Sequence, residues 1–403
     1  MTVTRRAGPS VGAAPAGHRL RGALAVVQIA LSLVLIIGAG LFLRSLAKLR
    51  AVDPSLASDR IVAATINLTL RGYSEEQGLQ FYESLLERVR REPGIDGAAI
   101  TSVLPVTAGG TRQNVGPRQT RPAVDTPVEF DVVRTSPGYF NTFGVPIVMG
   151  RDFGHGDRAS TRPVAIVNET MRRRFWPSSN PIGETFAVGE EAYEVIGVSR
   201  DTKYRSLRET PRMTLYRPIA QWHADAVNLA VSTTLRVEGI VERIRGEMRA
   251  LDPAMPLYNV RTLAEHVDRS LYLDRLRARL ITSLAGLALA LAAVGIYGLV
   301  SFNVAERTRE VGVRLALGAQ PGEVLRMVLG TGVRLAAAGI AVGIVLALWL
   351  TRLTASQLYG VTPTDPVTIV AGAALLFAIV LGATFVPARR VTRVDPITAL
   401  RYE

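Results

Sequence analysis

The chain has 403 residues, 48% of them hydrophobic, and contains no cysteine, which excludes a disulfide framework, a thiolate zinc site and a cysteine nucleophile. The apolar content favours a membrane protein. The formal charge of +13 comes almost wholly from arginine, since only Lys48 and Lys203 are lysines. Such a charge suggests nucleic-acid binding only if it is clustered on one surface.

Four apolar runs are long enough to cross a membrane, since about 20 helical residues span a hydrocarbon core of about 30 Å. They predict transmembrane helices at residues 22–43, 280–304, 335–351 and 367–388. The third run is short, but Arg334 and Arg352 at its ends can place their guanidinium groups at the interface. A signal peptide is the alternative for the first run, which ends in LFLRS rather than in a small-residue cleavage site.

Arginines in short loops set the orientation of these helices, because such loops stay on the cytoplasmic side. Arginines are frequent between the second and third helices and after the fourth, whereas Arg352 is the one arginine between the third and fourth. Both termini are therefore predicted to be cytoplasmic. The three inner pieces carry +8 of the +13, so topology and anionic lipid account for the charge and we expect no nucleic-acid partner.

This orientation divides the chain into nine segments. We predict, in order, a cytoplasmic tail (1–21), a first transmembrane helix (22–43), an outer domain (44–279), a second transmembrane helix (280–304), a cytoplasmic segment (305–334), a third transmembrane helix (335–351), an outer loop (352–366), a fourth transmembrane helix (367–388) and a cytoplasmic tail (389–403). The outer domain thus takes up more than half of the chain.

The outer domain begins with a β-α-β pattern. Residues 61–70 read as a strand, Ser74 and Gln77 form a capping box that opens a helix, and Pro93 with Gly94 ends it before a second strand at 98–104. The apolar face of this helix consists of Phe81, Leu85, Leu86 and Val89.

A similar unit returns late, as a strand at 229–234, a helix at 238–251 and a strand at 257–260. Between the two units lie short apolar runs, VEFDVV, RPVAIV and YEVIGV, which predict a β-rich insertion. The predicted fold is thus an α-helical membrane protein with four transmembrane helices and a large extracytoplasmic α+β domain, a split β-α-β sub-domain with a β-rich insertion. After Thr262 a helical pattern with few breaks leads into the second transmembrane helix, as in a rod that transmits force.

The segment ERTREVGVRLALGAQPGEVLRMVLGTGVR at 306–334 predicts a helix, a turn and a second helix at the inner membrane surface. Glu310 and Arg314 stand four residues apart in the favourable order, Gly318 is a natural carboxyl cap, and Pro321 with Glu323 begins the second helix. From the residues alone, a coupling element and an ordinary basic loop are equally well supported.

Several separated motifs resemble one family. ERTREVGVRLALGA is similar to the segment that follows the second span in FtsX-like, MacB-type permeases of ABC transporters, and PARRVTRVDPITALRYE is similar to the ending of that family. The first span, LRGALAVVQIALSLVLIIGAGLFLRSLAKL, also matches. PIGETFAVG, YEVIGVSRDTKYRSLRETPRMTLYRPIAQ and LYGVTPTDPVT look closest to one four-span unit of the duplicated orphan permeases.

The resemblance implies a MacB-like periplasmic core domain, an FtsX-like domain at about 280–396, and a partner ABC ATPase in the cytoplasm of a bacterium with this chain in its inner membrane. The ATPase would drive movement of the outer domain, called mechanotransmission, for efflux or extraction of a substrate. The implied ATPase contacts are Glu306, Arg307, Arg309, Glu310 and Arg314, and the implied contacts of the tail with the same surface are Asp395, Pro396, Leu400 and Arg401.

The orphan permeases carry two four-span units, whereas this chain carries one. It could be a half-length member, a carboxyl-terminal half or a truncated product, and we expect it to pair with a second copy or a homologous half. Gly286, Gly295 and Gly298 in the second span offer positions for close packing.

The sequence offers little for catalysis. It has no GxxxxGK[ST] phosphate loop, so we expect ATP on the partner, no cofactor or metal in this chain, and no enzyme activity. RDFGHGD brings together Asp152, His155 and Asp157, but a glycine-rich turn explains it better, and RRRFW at 172–176 reads as a solvated helix end. The alternative to a transporter is a non-transporting signalling or scaffold protein that regulates an envelope enzyme; a periplasmic adaptor as a further partner would favour export.

Overall fold

The computed structural model describes residues 14–51, 60–107, 111–116, 119–306 and 320–391. The chain divides into two compact units. The membrane unit combines residues 1–51 with 273–403, and the outer domain consists of residues 52–272.

The described helices are α1 (Ala14–Arg50), α2 (Glu75–Arg91), α3 (Tyr139–Phe143), α4 (Glu169–Phe175), α5 (Val237–Leu251), α6 (Leu263–Ser270), α7 (Tyr272–Glu306), α8 (Pro321–Leu353) and α9 (Pro366–Val391). The described strands are β1 (Ile61–Asn67), β2 (Ile95–Thr101), β3 (Thr111–Val115), β4 (Thr120–Arg121), β5 (Val128–Thr135), β6 (Ile147–Gly150), β7 (Val164–Asn168), β8 (Thr185–Val188), β9 (Glu191–Ser199), β10 (Thr214–Pro218), β11 (Ala226–Thr233) and β12 (Tyr258–Thr262). Four helices, α1, α7, α8 and α9, are long and apolar enough to cross a membrane, which confirms the predicted fold class together with the large α+β domain.

The two predicted β-α-β units interleave into one sheet. The strands lie in the order β12, β1, β11, β2, and β11 pairs antiparallel with both β1 and β2. Because β1 also pairs antiparallel with β12, each β-α-β unit is split by one strand of the other, as in a ferredoxin-like fold. Helices α2 and α5 cover one face of this sheet with a core that includes Leu85, Ile100, Leu229 and Ile244.

Helix α2 begins and packs as its sequence predicts. The Ser74 hydroxyl accepts a hydrogen bond from the Gln77 amide at 3.3 Å, and the Ser74 amide donates to Gln77 Oε1 at 3.0 Å, which completes the capping box. The predicted apolar face is buried, and Tyr82 is buried beside it. Strand β1 is shorter than predicted, since the chain leaves the sheet after Asn67 in a short 3₁₀ turn that ends at Gly72, with φ of 68°.

The β-rich insertion forms between β2 and β11. The predicted runs VEFDVV, RPVAIV and YEVIGV lie in β5, β7 and β9, and β5 continues the sheet through a single residue pair, Thr101 with Thr135. β5 pairs parallel with β10 and β7 pairs parallel with β9, so this part of the sheet is mixed. Aromatic residues of α3, Tyr139, Phe140 and Phe143, pack in a core with Ile61 and Ala99 of the ferredoxin-like strands.

The helical pattern after Thr262 is interrupted once. Thr262 and Glu265 form a second capping box that opens α6, which ends at Ser270. Leu271 has φ of −87° and ψ of 2°, and the amide of Leu271 bonds back to the last turn of α6 before α7 begins at Tyr272. The expected rod is therefore two helices rather than one continuous helix.

Gly78 in α2 tests the packing of the ferredoxin-like sub-domain. A Cβ atom at this position would lie 2.6 Å from Cε1 of His223 and 2.9 Å from Cδ1 of Leu68. The His223 ring is held by stacking on Tyr82 and by Asp225, so it cannot give way freely. We expect Gly78→Ala to lower the free energy of unfolding by about 1 to 3 kcal/mol.

The measurement is urea denaturation of the full chain in detergent, followed by the fluorescence of Trp222, which neighbours His223. The matched control is Gly239→Ala in α5, where a Cβ atom meets no described atom within 4 Å. Alanine is the better helix former, so the control should be neutral or stabilising. Equal effects of the two substitutions would contradict the packing argument.

Candidate functional site

The predicted coupling segment joins two described helices. Helix α7 ends at the exposed Glu306, and α8 begins at Pro321, as predicted, with Gln320 as its N-cap residue. The other predicted ATPase contacts and the predicted tail contacts lie outside the described residues. These are Arg307, Arg309, Glu310 and Arg314, and Asp395, Pro396, Leu400 and Arg401.

Helix α8 packs closely on α1 through two glycines. A Cβ atom on Gly339 would lie 2.5 Å from Cγ2 of Ile29, and one on Gly343 would lie 3.0 Å from the carbonyl oxygen of Ala30 and from Cβ of Leu33. The two glycines stand four residues apart in GIAVG, the small-xxx-small pattern that lets helix backbones approach in a membrane. Sequence reasoning missed this contact although the motif was visible.

Helix α9 completes a three-helix bundle. Gly372 of α9 faces Ile36 of α1, where an added Cβ atom would be 3.2 Å from Cγ2, and Gly332 of α8 lies against Thr384 of α9. The shared core contains Ile29, Leu33 and Ile37 of α1 with Ala336 and Ala347 of α8 and Leu376 and Val380 of α9. The three helices α1, α8 and α9 are thus packed together by contacts in which their backbones approach closely.

Helix α7 packs on this bundle with one side only. Ala285, Ala292, Ile296 and Val300 are buried, and Ser32 of α1 donates a hydrogen bond to the carbonyl of Ala288 at 3.1 Å. The opposite side exposes an apolar stripe at Leu280, Leu284, Leu287, Leu291 and Val294. A Cβ atom at the predicted packing positions Gly286 or Gly298 would meet no described atom within 4 Å, whereas one at Gly295 would lie 2.8 Å from Oε1 of Gln28.

A cleft opens between α1 and α7 beside this stripe. It has a volume of about 330 Å³ and is lined by Arg21, Gln28, Gly298 and Phe302 together with apolar residues. The guanidinium carbon of Arg21 lies 4.4 Å from the centre of the Phe302 ring, a cation-π contact. The cleft therefore carries a charge at one end and an amide further along α1.

A polar clamp ties the other end of α1 to the loop between α8 and α9. Arg44 pairs with Asp365, Lys48 donates to the carbonyl of Gly360, and the amide of Tyr359 donates to Ser45 Oγ at 2.8 Å. Hydrogen bonds from Thr368, then the charge of Arg44, hold the pKa of Asp365 below its usual range. Arg44 and Lys48, which follow the first predicted transmembrane helix, are thus both engaged within the protein.

The alternative sites in the outer domain are turns and helix ends. Asp157 accepts hydrogen bonds from both terminal nitrogens of Arg151 at 2.8 and 2.9 Å, and Asp152 accepts from the amides of Phe153 and Gly138. Arg173, in the last turn of α4, pairs with Asp201. No cluster of three or more metal-ligating side chains occurs among the described residues.

His223 and His266 make separate local contacts. His223 pairs with Asp225, and Nε2 of His266 lies 2.9 Å from the hydroxyl of Thr107. Burial, reinforced by the charge of Arg261, lowers the pKa of His266 to about 4. His266 therefore stays neutral at physiological pH.

Two family models match the chain. The MacB-like periplasmic core domain matches residues 23–248, and the FtsX-like permease C-terminal domain matches residues 282–396. The first match covers α1 and most of the outer domain, and the second covers most of α7 with α8 and α9. The chain belongs to the family of FtsX-like permeases with a MacB-like periplasmic core domain.

Relatives in several bacteria share a quarter or more of their aligned residues with the chain. The pyoverdine export ATP-binding/permease protein PvdT of Pseudomonas savastanoi pv. phaseolicola is 28% identical over 65% of this chain, and the macrolide export ATP-binding/permease protein MacB of Marinobacter nauticus is 26% identical over 64%. The chain spans 41% of the length of each of these two relatives. The uncharacterised ABC transporter permease YknZ of Bacillus subtilis is 26% identical over 66% of this chain and 68% of its own length.

Solved structures of outer domains are also similar. The periplasmic region of MacB from Actinobacillus actinomycetemcomitans matches 53% of this chain and 93% of its own, with a TM-score of 0.35 and 13% identity. The extracellular domain of YknZ from Gram-positive bacteria matches 49% of this chain and 100% of its own, with a TM-score of 0.32 and 16% identity.

Gly343→Val tests the close contact between α1 and α8. The added methyl groups would meet the Ala30 carbonyl and the Leu33 side chain, so we expect a loss of about 1 to 3 kcal/mol of stability. The control is Gly382→Val in α9, which is exposed and where an added Cβ atom meets no described atom within 4 Å. Aggregation temperature of the detergent-solubilised chain is the readout, and an equal decrease for both variants would contradict the assignment.

Proposed function

We propose that this chain is the permease subunit of a MacB/FtsX-type ABC transporter, in which a separate cytoplasmic ATPase drives movement of the outer domain by mechanotransmission. The observation that carries the proposal is the combination, in one chain, of both permease domains of the family. Relatives named for export of pyoverdine and macrolides favour export or extraction of a substrate over signalling.

Contacts within the membrane unit support an orientation with both termini in the cytoplasm. Arg21, early in α1, lies over Phe302, near the end of α7, and Arg390, at the end of α9, donates to the hydroxyl of Tyr297 at 3.1 Å. At the other end, the clamp joins Arg44, late in α1, to Asp365, just before α9. The start of α1 and the end of α9 therefore share one end of the unit, which we assign to the cytoplasm.

The same end carries the proposed coupling surface. Glu306 is the last residue of α7, and residues 307–319 connect it to α8. We assign ATPase contacts to Glu306, Arg307, Arg309, Glu310 and Arg314, with Asp395, Pro396, Leu400 and Arg401 of the tail beside them. A movement of the ATPase would then act directly on the end of α7. Because α7 follows the outer domain in the chain, this helix would connect the ATPase to that domain.

The open side of α7 supports pairing with a second permease copy. The spacing of the apolar stripe, 4, 3, 4 and 3 residues, matches the heptad pattern of a helix seam. We therefore assign the stripe to the interface between two copies.

Charge reversal tests the coupling surface. We expect Arg309→Glu with Arg314→Glu to reduce the amount of ABC ATPase that co-purifies with the tagged chain from host membranes by about 10-fold or more, equivalent to about 1.4 kcal/mol or more. Arg249→Glu, a reversal in the outer domain, is the control and should retain the ATPase. Recovery of the chain without an ATPase, or equal loss in the control, would contradict the proposal.

Cysteine cross-linking tests the pairing, because the chain has no cysteine of its own. We expect Leu287→Cys, on the stripe, to form a disulfide-linked dimer in oxidised membranes, since a disulfide needs Cα atoms within about 7 Å. Val370→Cys in α9 is as exposed, at 66% against 59% for Leu287, but lies off the stripe and should stay monomeric. A dimer at both positions would indicate random collision, and a monomer at both would exclude this interface.

A further inference from the structure

The insertion places two arginines side by side on neighbouring strands. Arg134 of β5 and Arg217 of β10 are direct partners in a parallel register, so their side chains leave the sheet on the same face. Like charges in such positions repel each other. A fold has no structural reason to keep two cations there unless something compensates them.

Arg217 has partners for its charge, although its buried Nε atom, like that of Arg134, makes no hydrogen bond. It is buried, with 5% exposure, and one of its terminal nitrogens lies 2.8 Å from Oε2 of Glu191. Its guanidinium carbon also lies 4.6 Å from the ring centre of Tyr193 and 5.2 Å from that of Trp222. The ion pair and the two aromatic faces together explain how this charge is held inside the insertion.

Arg134 has no comparable partner among the described residues. Its backbone amide donates to Ser102 Oγ at 2.9 Å, but its buried Nε atom makes no hydrogen bond. Burial, and after it the charge of Arg217, lowers the pKa of Arg134, while Glu191 acts in the opposite direction. A buried guanidinium nitrogen without an acceptor is costly, because it has lost water without gaining a hydrogen bond.

Glu191 carries one negative charge for two arginines. Its Oε2 already accepts hydrogen bonds from Arg217 and from the hydroxyl of Tyr193, and its side chain is 48% exposed. Two guanidinium groups and one carboxylate leave one uncompensated positive charge beside the aromatic pair Tyr193 and Trp222. The missing group is therefore a single negative charge with acceptor oxygens.

We propose that Arg134, together with Arg217 and Glu191, forms a binding site for a carboxylate group. The planar guanidinium of Arg134 offers a fork of donors that matches the two oxygens of a carboxylate, and a monoanion would bring the site to neutrality. Trp222, which is partly exposed above Arg217, would contact the apolar part of the ligand. The carboxylate can belong to a small organic acid or to an acidic side chain of a protein.

Titration of the full chain in detergent with two probes tests the site. The first probe is propionate, and the second is the end-blocked peptide acetyl-Ala-Glu-Ala-amide, whose one carboxylate is the glutamate side chain. The readout is the tryptophan fluorescence, to which Trp222 contributes. Propionamide and sodium chloride serve as controls for shape and for ionic strength.

We expect a saturable change with propionate in the wild-type chain and a dissociation constant at least about 10-fold larger in Arg134→Gln. Arg162→Gln, which removes an exposed arginine paired with Glu194, should bind as the wild type does. Saturation with propionate alone would identify a free acid as the ligand, and saturation with the peptide as well would identify a protein carboxylate. No saturation with either probe, or an equal effect of propionamide, would overturn the proposal.

A second measurement separates binding from a structural role. If Arg134 serves a ligand, its removal relieves repulsion with Arg217, so Arg134→Gln should unfold at the same temperature as the wild type or at a higher one when no ligand is present. If Arg134 stabilises the fold, the variant should unfold at a lower temperature, and this result would overturn the proposal even where binding is lost.

Discussion

Strand β11 lies between β1 and β2, so the first part of the outer domain cannot complete its sheet until the chain has passed through residues 102–225. The register of β11 against β1 runs without a break from Ile61 to Asn67. Both apolar faces of the sheet depend on this pairing, since the core under α2 and α5 and the core under α3 each include residues of β1, β2 and β11. Such long-range pairing forms slowly, because the entropy of closing the long intervening loop is lost before the strand contacts form and offset it.

The membrane unit depends on a different constraint, which is backbone proximity. Lipid is as apolar as the side chains, so burial gives little drive for helices to associate, and close packing takes its place. Glycines at Gly339, Gly343 and Gly372 provide it around α1. The result is a firm three-helix bundle with α7 attached on one side, and α7 is the helix that connects to the outer domain in the chain.

Local features of the sequence predicted much of this structure. The capping box at Ser74, the apolar face of α2, the strands of both β-α-β units and the four long apolar helices all follow from residue periodicity and caps. The order of the strands in the sheet could not be predicted in this way. Periodicity indicates which residues face a core, but it does not indicate which strands are neighbours. The break in the helix at Leu271 was also not predicted. Leucine is not a helix-terminating residue, and the turn is set by backbone hydrogen bonds at the end of α6.

Some of the candidate functional residues could be predicted from the sequence, and others could not. The coupling segment was found through its similarity to a family, and its residues beyond Glu306 lie outside the described part of the chain. The GIAVG contact was visible as a motif, but the choice between glycines of different helices requires knowing which helices touch. The pair of Arg134 and Arg217 could not be found from sequence at all, because 82 intervening residues conceal a direct register pairing.

The insertion is attached to the ferredoxin-like sheet at one point of its edge. Thr101, where β2 ends, pairs directly with Asn228 near the start of β11, so the chain leaves and returns at adjacent positions. Such a junction would allow a different inserted segment to replace this one, because the ends of β2 and β11 are close enough to be joined by a short connection. The exchange is constrained on the inner side, however, since Tyr139, Phe140 and Phe143 cover apolar residues of the ferredoxin-like sheet. A replacement module would therefore need apolar residues of its own in the place of these three, or that face of the sheet would be left exposed to water.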